Sequence, residues 1–276
     1  MSLLVCDGSG PPLLGRNWLS QIPLEWGCIK VIDTSDKQKN GRDMRLKRIL
    51  AKYPKLQQDK IGMVKGKKAQ LNLNEGATPT FLKARQVPYS LRKQVEEELE
   101  RLVAEGIIYP VESSEWATPV VVGPKTGGKI RLCGDFRVTV NKNIRVDKYP
   151  LLRVEDIFAT LGGSVVFSKI DLRNAYLQLE LAEESKELCT LNTLKGLYHH
   201  RLPFGVASAP AIWQRTIEQV LHGIRKTQCM MDDIIIAGAN EEEHFSILEE
   251  VLARLDSHNI TINMDKCAFL QKKVTF

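Results

Sequence analysis

The stretch "CMMDDIIIAG", residues 229–238, places two adjacent aspartates between apolar residues. The apolar runs on either side, "QCMM" and "IIIAG", are typical of buried strands, so the sequence predicts a β-hairpin whose strands join at Asp232 and Asp233. Burying a carboxylate costs several kcal/mol unless it is paired or binds a metal. The two carboxylates therefore either lie in an exposed turn or hold a cation.

The segments around this hairpin predict alternating strands and helices. "SVVFSKIDL" predicts a strand that ends at Asp171. "SAPAIWQRTIEQVLHGI" predicts a helix capped by Ser208 or Ala209, and "NEEEHFSILEEVLARLDSHN" predicts a helix capped by Asn240. "ITINMDKCAFL" is a final strand-like run. From residue 164 onward the order is strand, helix, hairpin, helix and strand, which favours an α+β fold with an antiparallel sheet backed by helices.

Two further elements are predicted upstream of this region. "SLRKQVEEELERLVAEG" has the apolar spacing of an amphipathic helix, with Ser90 as its N-cap and Gly106 as its end. "TPVVVGPKTGGKIRLCGDF" predicts a β-hairpin, because two apolar runs flank Gly127 and Gly128.

The composition is that of a globular protein, with 43% hydrophobic and 26% charged residues in 276. No apolar run approaches the ~20 residues that span a bilayer, and no signal peptide is recognisable, so we expect no membrane segment. The six cysteines are scattered without a C-x-x-C pair, which argues against a zinc site or disulfide framework and favours a reducing compartment.

The net charge of +6 is concentrated in residues 37–68, which contain twelve Lys and Arg and two Asp. Such a tract is either a solvated linker or a nucleic-acid contact.

Asp171 is the natural third carboxylate beside Asp232 and Asp233, because it ends a neighbouring strand. Carboxylate oxygens suit Mg²⁺, which takes its remaining ligands from water and substrate phosphates. Three carboxylates could hold two ions ~3.5–4 Å apart, the spacing used for in-line phosphoryl or nucleotidyl transfer. An Asp-Asp pair alone more often marks an exposed turn, so the surrounding motifs must carry the assignment.

The succession "FSKIDLRNAYLQL", "RLPFGVASAPAIWQR", "CMMDDIIIAG" and "LDSHNITINMDKCAFL" resembles reverse-transcriptase motifs A to D in order and spacing. "EGIIYPVESSEWATPVVVGPKTGGKIRLCGDFRVTVNK" resembles the fingers region of the same family, and the similarity is to gypsy-type LTR retrotransposon pol polyproteins over residues 79–276. The resemblance implies a right-hand polymerase fold in which fingers and palm are interleaved. The implied fingers are residues 79–149 and 179–208, and the implied palm is residues 150–178 and 209–276.

The resemblance also implies the roles of individual residues. Asp171, Asp232 and Asp233 become the catalytic metal ligands for two Mg²⁺ ions, with Mn²⁺ as a substitute, and Tyr176 becomes the steric gate that excludes a ribose 2′-hydroxyl. The remaining implied site residues contact the dNTP or the leaving pyrophosphate. They are Arg131, with Lys125 or its rival Lys129, for the triphosphate, Phe204 for the base and sugar, and Lys266 as the proton donor to pyrophosphate.

Both ends of the chain carry expectations of their own. "LLVCDGSGPPLLGRNWLSQI" resembles the C-terminal part of a retropepsin-like protease, so residues 1–35 are expected to be a protease remnant that precedes a basic linker over residues 36–78. At "KKVTF" the chain stops where the family's primer-grip hairpin begins, so the thumb is expected to be absent. Met230 stands where the family pattern has Tyr, which removes a hydrogen bond worth ~0.5–1.5 kcal/mol.

The resulting hypothesis is an RNA-directed DNA polymerase fragment whose partners are an RNA or DNA template with primer, dNTPs and the other pol domains (protease, ribonuclease H and integrase). The resemblance places it in the cytoplasm, free or in virus-like particles, and leaves access to the nucleus open. Two alternatives stay open, a catalytically dead remnant and a basic nucleic-acid-binding module built on residues 37–68. An RNA-templated RNA polymerase is disfavoured by Tyr176.

Overall fold

The computed structural model describes residues 36–124, 130–150 and 159–273, with side chains from residue 41 onward. The chain divides into two compact units, Met1–Arg45 and Leu46–Phe276. Of the first unit only residues 36–45 are described, and they are helical. The predicted protease remnant, residues 1–35, lies outside the described residues.

The described part of the chain contains helices and short strands in alternation. The helices are α1 Asp36–Ala51, α2 Tyr89–Ala104, α3 Val140–Asn143, α4 Glu183–Lys186, α5 Ala209–Leu221 and α6 Glu241–Ser257. The strands are β1 Lys68–Ala69, β2 Ile108–Val111, β3 Thr118–Pro124, β4 Ile130–Gly134, β5 Val166–Asp171, β6 Glu180–Leu181, β7 Leu191–Thr193, β8 Gly196–His200, β9 Thr227–Met230, β10 Asp233–Gly238 and β11 Ala268–Gln271. Short 3₁₀ helices cover Pro54–Gln57, Phe136–Val138, Ala175–Gln178, Glu187–Cys189 and Met264–Lys266.

A four-stranded antiparallel sheet with the order β11-β5-β10-β9 carries the predicted aspartates. Strand alternation separates its two faces, and Ile170, Ile234 and Ile236 point into the main core, where α5 and α6 pack. The opposite face holds a small apolar group of Leu161, Ile235 and Ala237, with Phe167 and Met230 packed against it. The α+β prediction of an antiparallel sheet backed by helices is confirmed.

A second sheet has the order β2-β8-β7-β3-β4. Strands β3 and β4 form the predicted antiparallel hairpin, whose register runs from Val120 opposite Gly134 to Pro124 opposite Ile130. The turn at Gly127 lies outside the described residues. Strands β6, β7 and β8 and the short helix α4 come between β5 and α5 in the chain, where no element was predicted, so the predicted element order was too simple.

The segment predicted as a basic linker, residues 36–78, departs from that prediction. It contains α1, a 3₁₀ helix and β1, and β1 pairs in parallel with β6. Five of its apolar side chains are buried in the main core, namely those of Ile49, Leu56, Val64, Ala69 and Leu71. Single apolar residues in a basic, irregular stretch carry no periodicity, so the pattern gave no sign of this packing.

The predicted N-terminal caps of the helices agree with the structure in two cases and differ in one. Helix α5 starts at Ala209 after Ser208, as predicted. At the start of α6 the Asn240 side chain accepts a hydrogen bond from the Glu243 N–H at 2.9 Å. In α2 the predicted cap, Ser90, is the second helical residue, because the helix already begins at Tyr89. No helix among the described residues is long and apolar enough to cross a bilayer.

His244 on α6 couples the stability of the fold to pH. Its imidazole is fully buried, neither ring nitrogen has a hydrogen-bond partner, and burial lowers the pKa of His244 to about 4. The unfolded chain therefore binds more protons than the folded chain between pH 6.5 and 4, and stability falls as the pH falls through that window. We expect the loss in unfolding free energy between pH 7 and pH 5 to be about 2 kcal/mol smaller in His244→Leu than in the wild type.

The measurement is urea unfolding at both pH values. His222→Leu is the control, because His222 is exposed at the end of α5. An identical pH dependence in wild type and His244→Leu would show that the buried imidazole does not control acid stability.

Candidate active site

Strand pairing brings the aspartates together at one end of the four-stranded sheet. Asp171 is the last residue of β5 and lies directly opposite Asp233, the first residue of β10. Strands β9 and β10 are joined by Met231 and Asp232, so the turn lies one residue earlier than the predicted Asp232-Asp233 junction. Met231 adopts a φ of +56°, which a two-residue hairpin loop requires and which is uncommon for a non-glycine residue.

Two residues of α5 hold this loop, and the sequence reasoning missed both. The Gln214 side chain accepts a hydrogen bond from the Met231 N–H at 3.0 Å and donates to the Cys229 carbonyl at 2.7 Å. Trp213 donates its indole N–H to the Met231 carbonyl at 2.9 Å. Gln214 is fully buried, and buried polar groups are almost always hydrogen-bonded, but this burial is visible only in the structure, so the sequence carried no signal for its role.

The carboxylates of Asp171 and Asp232 repel each other in a partly buried place. Burial raises the pKa of Asp232, and the charges of Asp171 and Asp233 raise it further. Burial also raises the pKa of Asp171, against the opposing effect of Lys266, whose Nζ lies 3.8 Å from Asp171 Oδ2. Asp232 Oδ1 is buried and has no hydrogen-bond partner. An unpartnered carboxylate oxygen beside a second carboxylate fits a hard divalent cation such as Mg²⁺.

Asp233 stands apart from this pair. Its Oδ2 lies 2.7 Å from the ammonium of Lys169, and both side chains are 28% exposed. Across the described residues, no three His, Cys, Asp or Glu side chains converge closely enough to form a complete metal-binding cluster. The structure therefore brings the backbones of all three predicted ligands together but directs the third carboxylate to a lysine.

A cavity of about 450 Å³ opens beside the aspartates, within the range of small-ligand sites. Of the predicted site residues, it is lined by Asp171, Asp232, Arg131, Phe204 and Lys266. The final strand-like run predicted Lys266 at the end of a strand, but Lys266 lies in a 3₁₀ helix. Lys125 and Lys129 lie outside the described residues.

Tyr176 lies behind the cavity wall instead of lining it. Its ring is buried and packs on Phe204, with centroids 4.9 Å apart and planes tilted by 43°. Burial raises the pKa of Tyr176, and the charge of Asp232 adds to that shift.

Asn141 fixes the loop that follows Phe204, because its side chain donates to the Gly205 carbonyl and accepts from the Ala207 N–H, each at 2.8 Å.

Met230 lies directly opposite Asp233, on the sheet face that also carries Asp171 and Lys169. The side chain is half-buried and packs against the small apolar group on that face. A thioether offers no strong hydrogen-bond donor at this position.

Comparison with known proteins decides the family. The sequence profile of the family described as reverse transcriptase (RNA-dependent DNA polymerase) matches residues 123–276, which include every aspartate of the site. The chain belongs to the reverse transcriptase family. Reverse transcriptases generally use divalent metal ions, in agreement with the oxygen donors of Asp171 and Asp232.

Relatives of this reverse transcriptase chain include large proteins of animals. An uncharacterized protein of Caenorhabditis elegans is 38% identical over 271 residues, covering 96% of this chain and 21% of that protein. The retrovirus-related Pol polyprotein from transposon 412 of Drosophila melanogaster is 33% identical over 218 residues, covering 76% of this chain and 17% of that protein. The chain thus spans about a fifth of the length of these relatives.

Solved reverse transcriptases share the fold. The native crystal structure of the prototype foamy virus protease–reverse transcriptase gives a TM-score of 0.76 at 26% identity, covering 86% of this chain and 32% of that one. The foamy viral enzyme in complex with an RNA/DNA hybrid gives a TM-score of 0.76 at 24% identity, with the same coverage. The fingers-and-palm interpretation of the fold is confirmed by these matches.

Proposed function

We propose that this chain is the fingers and palm of an RNA-directed DNA polymerase from the pol polyprotein of a gypsy-type LTR retrotransposon. The observation that supports it most is the Asp171–Asp232 pair on the cavity wall, with Asp232 Oδ1 unpartnered. In this proposal the fingers are residues 79–149 and 179–208, and the palm is residues 150–178 and 209–276. Residues 1–35 correspond to the C-terminal part of a retropepsin-like protease.

The chemistry proposed for the site is nucleotidyl transfer. Two Mg²⁺ ions, held by Asp171, Asp232 and Asp233, would activate a primer 3′-hydroxyl and stabilise charge on the attacked phosphate. Arg131 is exposed on β4 and lines the cavity, where its guanidinium would bind triphosphate oxygens of a dNTP. Lys266, whose side chain is 67% exposed, would hold a proton for the leaving pyrophosphate.

The proposed macromolecular partner is a primed RNA or DNA template. Contacts to its backbone phosphates make binding sensitive to salt and tolerant of sequence. The protease, ribonuclease H and integrase domains of a full pol polyprotein are proposed as further partners. The cytoplasm, including virus-like particles, is the proposed location.

The experiment that tests this proposal is primer extension on an RNA template with Mg²⁺ and all four dNTPs. We expect extension by the wild type that requires the template and stops in EDTA. Asp232→Asn is expected to bind the primed template with unchanged affinity and to extend it at least about 10²-fold more slowly, because one charged metal ligand is lost.

The alternative of a catalytically dead remnant that still folds has one observation in its favour, Met230 in place of the family's Tyr. Salt-sensitive binding of the primed template without any extension, in the wild type as in Asp232→Asn, would establish that alternative and contradict the polymerase.

A second prediction concerns the choice of sugar. Replacing Tyr176 with Ala removes the ring that packs beneath Phe204 beside the cavity. Space for a ribose 2′-hydroxyl then opens, and we expect the preference for dNTPs over rNTPs to fall at least about tenfold, or 1.4 kcal/mol. The measurement is kcat/KM for dTTP and UTP on the same primed template.

Tyr198→Ala is the control, because Tyr198 is a partly buried core residue of β8 outside the cavity lining. Equal loss of discrimination in both variants, or none in Tyr176→Ala, would remove Tyr176 from its role as the gate.

A further inference from the structure

Lys169 and Asp233 form a diagonal pair across two neighbouring strands. Asp171 lies opposite Asp233 and Lys169 lies opposite Ile235, so Lys169 and Asp171 share the sheet face of Asp233. Diagonal neighbours on one face of an antiparallel pair are within reach of long side chains. The Lys169 Nζ reaches Asp233 Oδ2 at 2.7 Å.

The register of β5 and β10 explains why a lysine is needed there. Like charges directly opposite each other in a sheet are destabilising, and Asp171 lies directly opposite Asp233. The side chains of Asp171 and Asp233 are only 16% and 28% exposed, so water screens this repulsion incompletely. Lys169 places a positive charge beside both carboxylates.

The three carboxylates therefore differ in what a divalent cation would meet. Asp232 has a buried oxygen without a partner, and Asp171 has the neutral side chain of Asn263 as a hydrogen-bond donor and the Lys266 ammonium at 3.8 Å. Asp233 alone has an ammonium at hydrogen-bonding distance, held between strands of fixed register. A divalent ion that uses Asp233 must therefore compete with a cation already in contact with the carboxylate, which is not the case at Asp171 or Asp232.

We propose that Lys169 is a built-in counter-cation of Asp233, and that a divalent ion gains this third carboxylate only by displacing the lysine ammonium. The proposal rests on the proposed function, because it takes the three aspartates as metal ligands. Lys169 is a positioning residue in this account, since it acts through Asp233. In the metal-free protein its charge offsets the repulsion between Asp171 and Asp233 where β5 pairs with β10. A divalent cation reaches the Asp233 carboxylate only at a concentration high enough to displace the lysine.

The test measures Mn²⁺ binding to the metal-free chain by electron paramagnetic resonance, in which free Mn²⁺ gives the signal. We expect Lys169→Met to bind the ion that uses Asp233 about fivefold more tightly, the equivalent of an ion pair worth ~1 kcal/mol that no longer has to be broken. Lys169→Gln, which keeps a polar head group, is expected to show the same gain in Mn²⁺ affinity. If only one of the two variants folds, that variant alone tests the proposal.

Lys226→Met is the matched control. Lys226 pairs with Glu243 at 3.1 Å, and its side chain is 27% exposed, close to the 28% of Lys169. It lies beside the other end of β10, where Thr227 pairs with Ile236. We expect Mn²⁺ affinity in this variant to equal that of the wild type.

Removal of any nearby positive charge could tighten metal binding, so a double-mutant cycle isolates the pair. If Lys169 competes for the Asp233 carboxylate, Lys169→Met changes Mn²⁺ affinity less than twofold in an Asp233→Asn background. A full fivefold gain in that background would overturn the proposal in favour of general electrostatics, as would unchanged affinity in the single variants.

Failure of the underlying function gives a different result. If Asp171→Asn binds as much Mn²⁺ as the wild type, or if neither binds any, the metal site itself is contradicted. The proposal about Lys169 is then overturned with it. If such binding is present and the Lys169 variants leave it unchanged, the proposal about Lys169 is overturned and the metal site stands.

Discussion

In primer extension with Mg²⁺, Asp171→Asn is expected to lose at least about 10³-fold in rate while its melting temperature equals or exceeds that of the wild type. The rate falls because the amide is a weaker ligand without charge. Stability does not fall, because burial raises the pKa of Asp171 and the charge of Asp233 raises it further. A carboxyl whose pKa is raised on folding destabilises the folded state at neutral pH, and asparagine removes that cost.

The sign of the stability effect is testable by pH. The advantage of Asp171→Asn is present at pH 7 and disappears as the pH falls below the ordinary aspartate pKa of 3.8, where the wild-type carboxyl becomes neutral in both states. Asp265→Asn, an exposed aspartate in the neighbouring 3₁₀ helix, is the control and is expected to change neither rate nor melting temperature. A lower melting temperature in Asp171→Asn would show that the carboxylate is structural.

Arg201→Met is expected to lower the unfolding free energy by about 3 kcal/mol. The guanidinium donates to three carbonyls, those of Gly62 at 2.7 Å, Gly106 at 2.9 Å and Leu177 at 3.2 Å. These carbonyls belong to the segment predicted as a linker, to the turn that follows α2 and to the 3₁₀ helix after β5. Methionine fills a similar volume but leaves all three acceptors without their charged donor.

Urea unfolding of wild type and Arg201→Met measures this effect. Arg92→Met is the control, because Arg92 makes one exposed hydrogen bond, to the Val87 carbonyl at 3.4 Å. We expect a change of no more than about 0.5 kcal/mol in the control. An equal decrease in unfolding free energy in the two arginine variants would contradict this account. It would mean that water hydrogen-bonds the three carbonyls as well as the guanidinium does.

The local parts of the site were readable from the sequence. The strand ending at Asp171 and the helix beginning after Ser208 follow from apolar runs and capping residues, which act within a few positions of the chain. The hairpin turn was misplaced by one residue because the apolar run does not distinguish a strand residue from a loop residue. Met231, and not a glycine, takes the positive φ of the turn.

The parts set by distant contacts were not readable. Lys169 is an ordinary strand lysine in the sequence, and its role follows from β5 pairing with β10 some 60 residues later. Gln214 and Arg201 act through backbone groups of other segments, which no side-chain pattern encodes. Residues 46–78 fold because isolated apolar side chains find places in an existing core.

The most direct test of the central claim is single-nucleotide addition by the wild type on four RNA templates that differ only in the base opposite the next position. We predict that in Mg²⁺ each template directs addition of its complementary dNTP, and that Asp171→Asn adds none on the same timescale. Addition that ignores the template, or equal addition by the wild type and Asp171→Asn, would contradict a polymerase site at these aspartates.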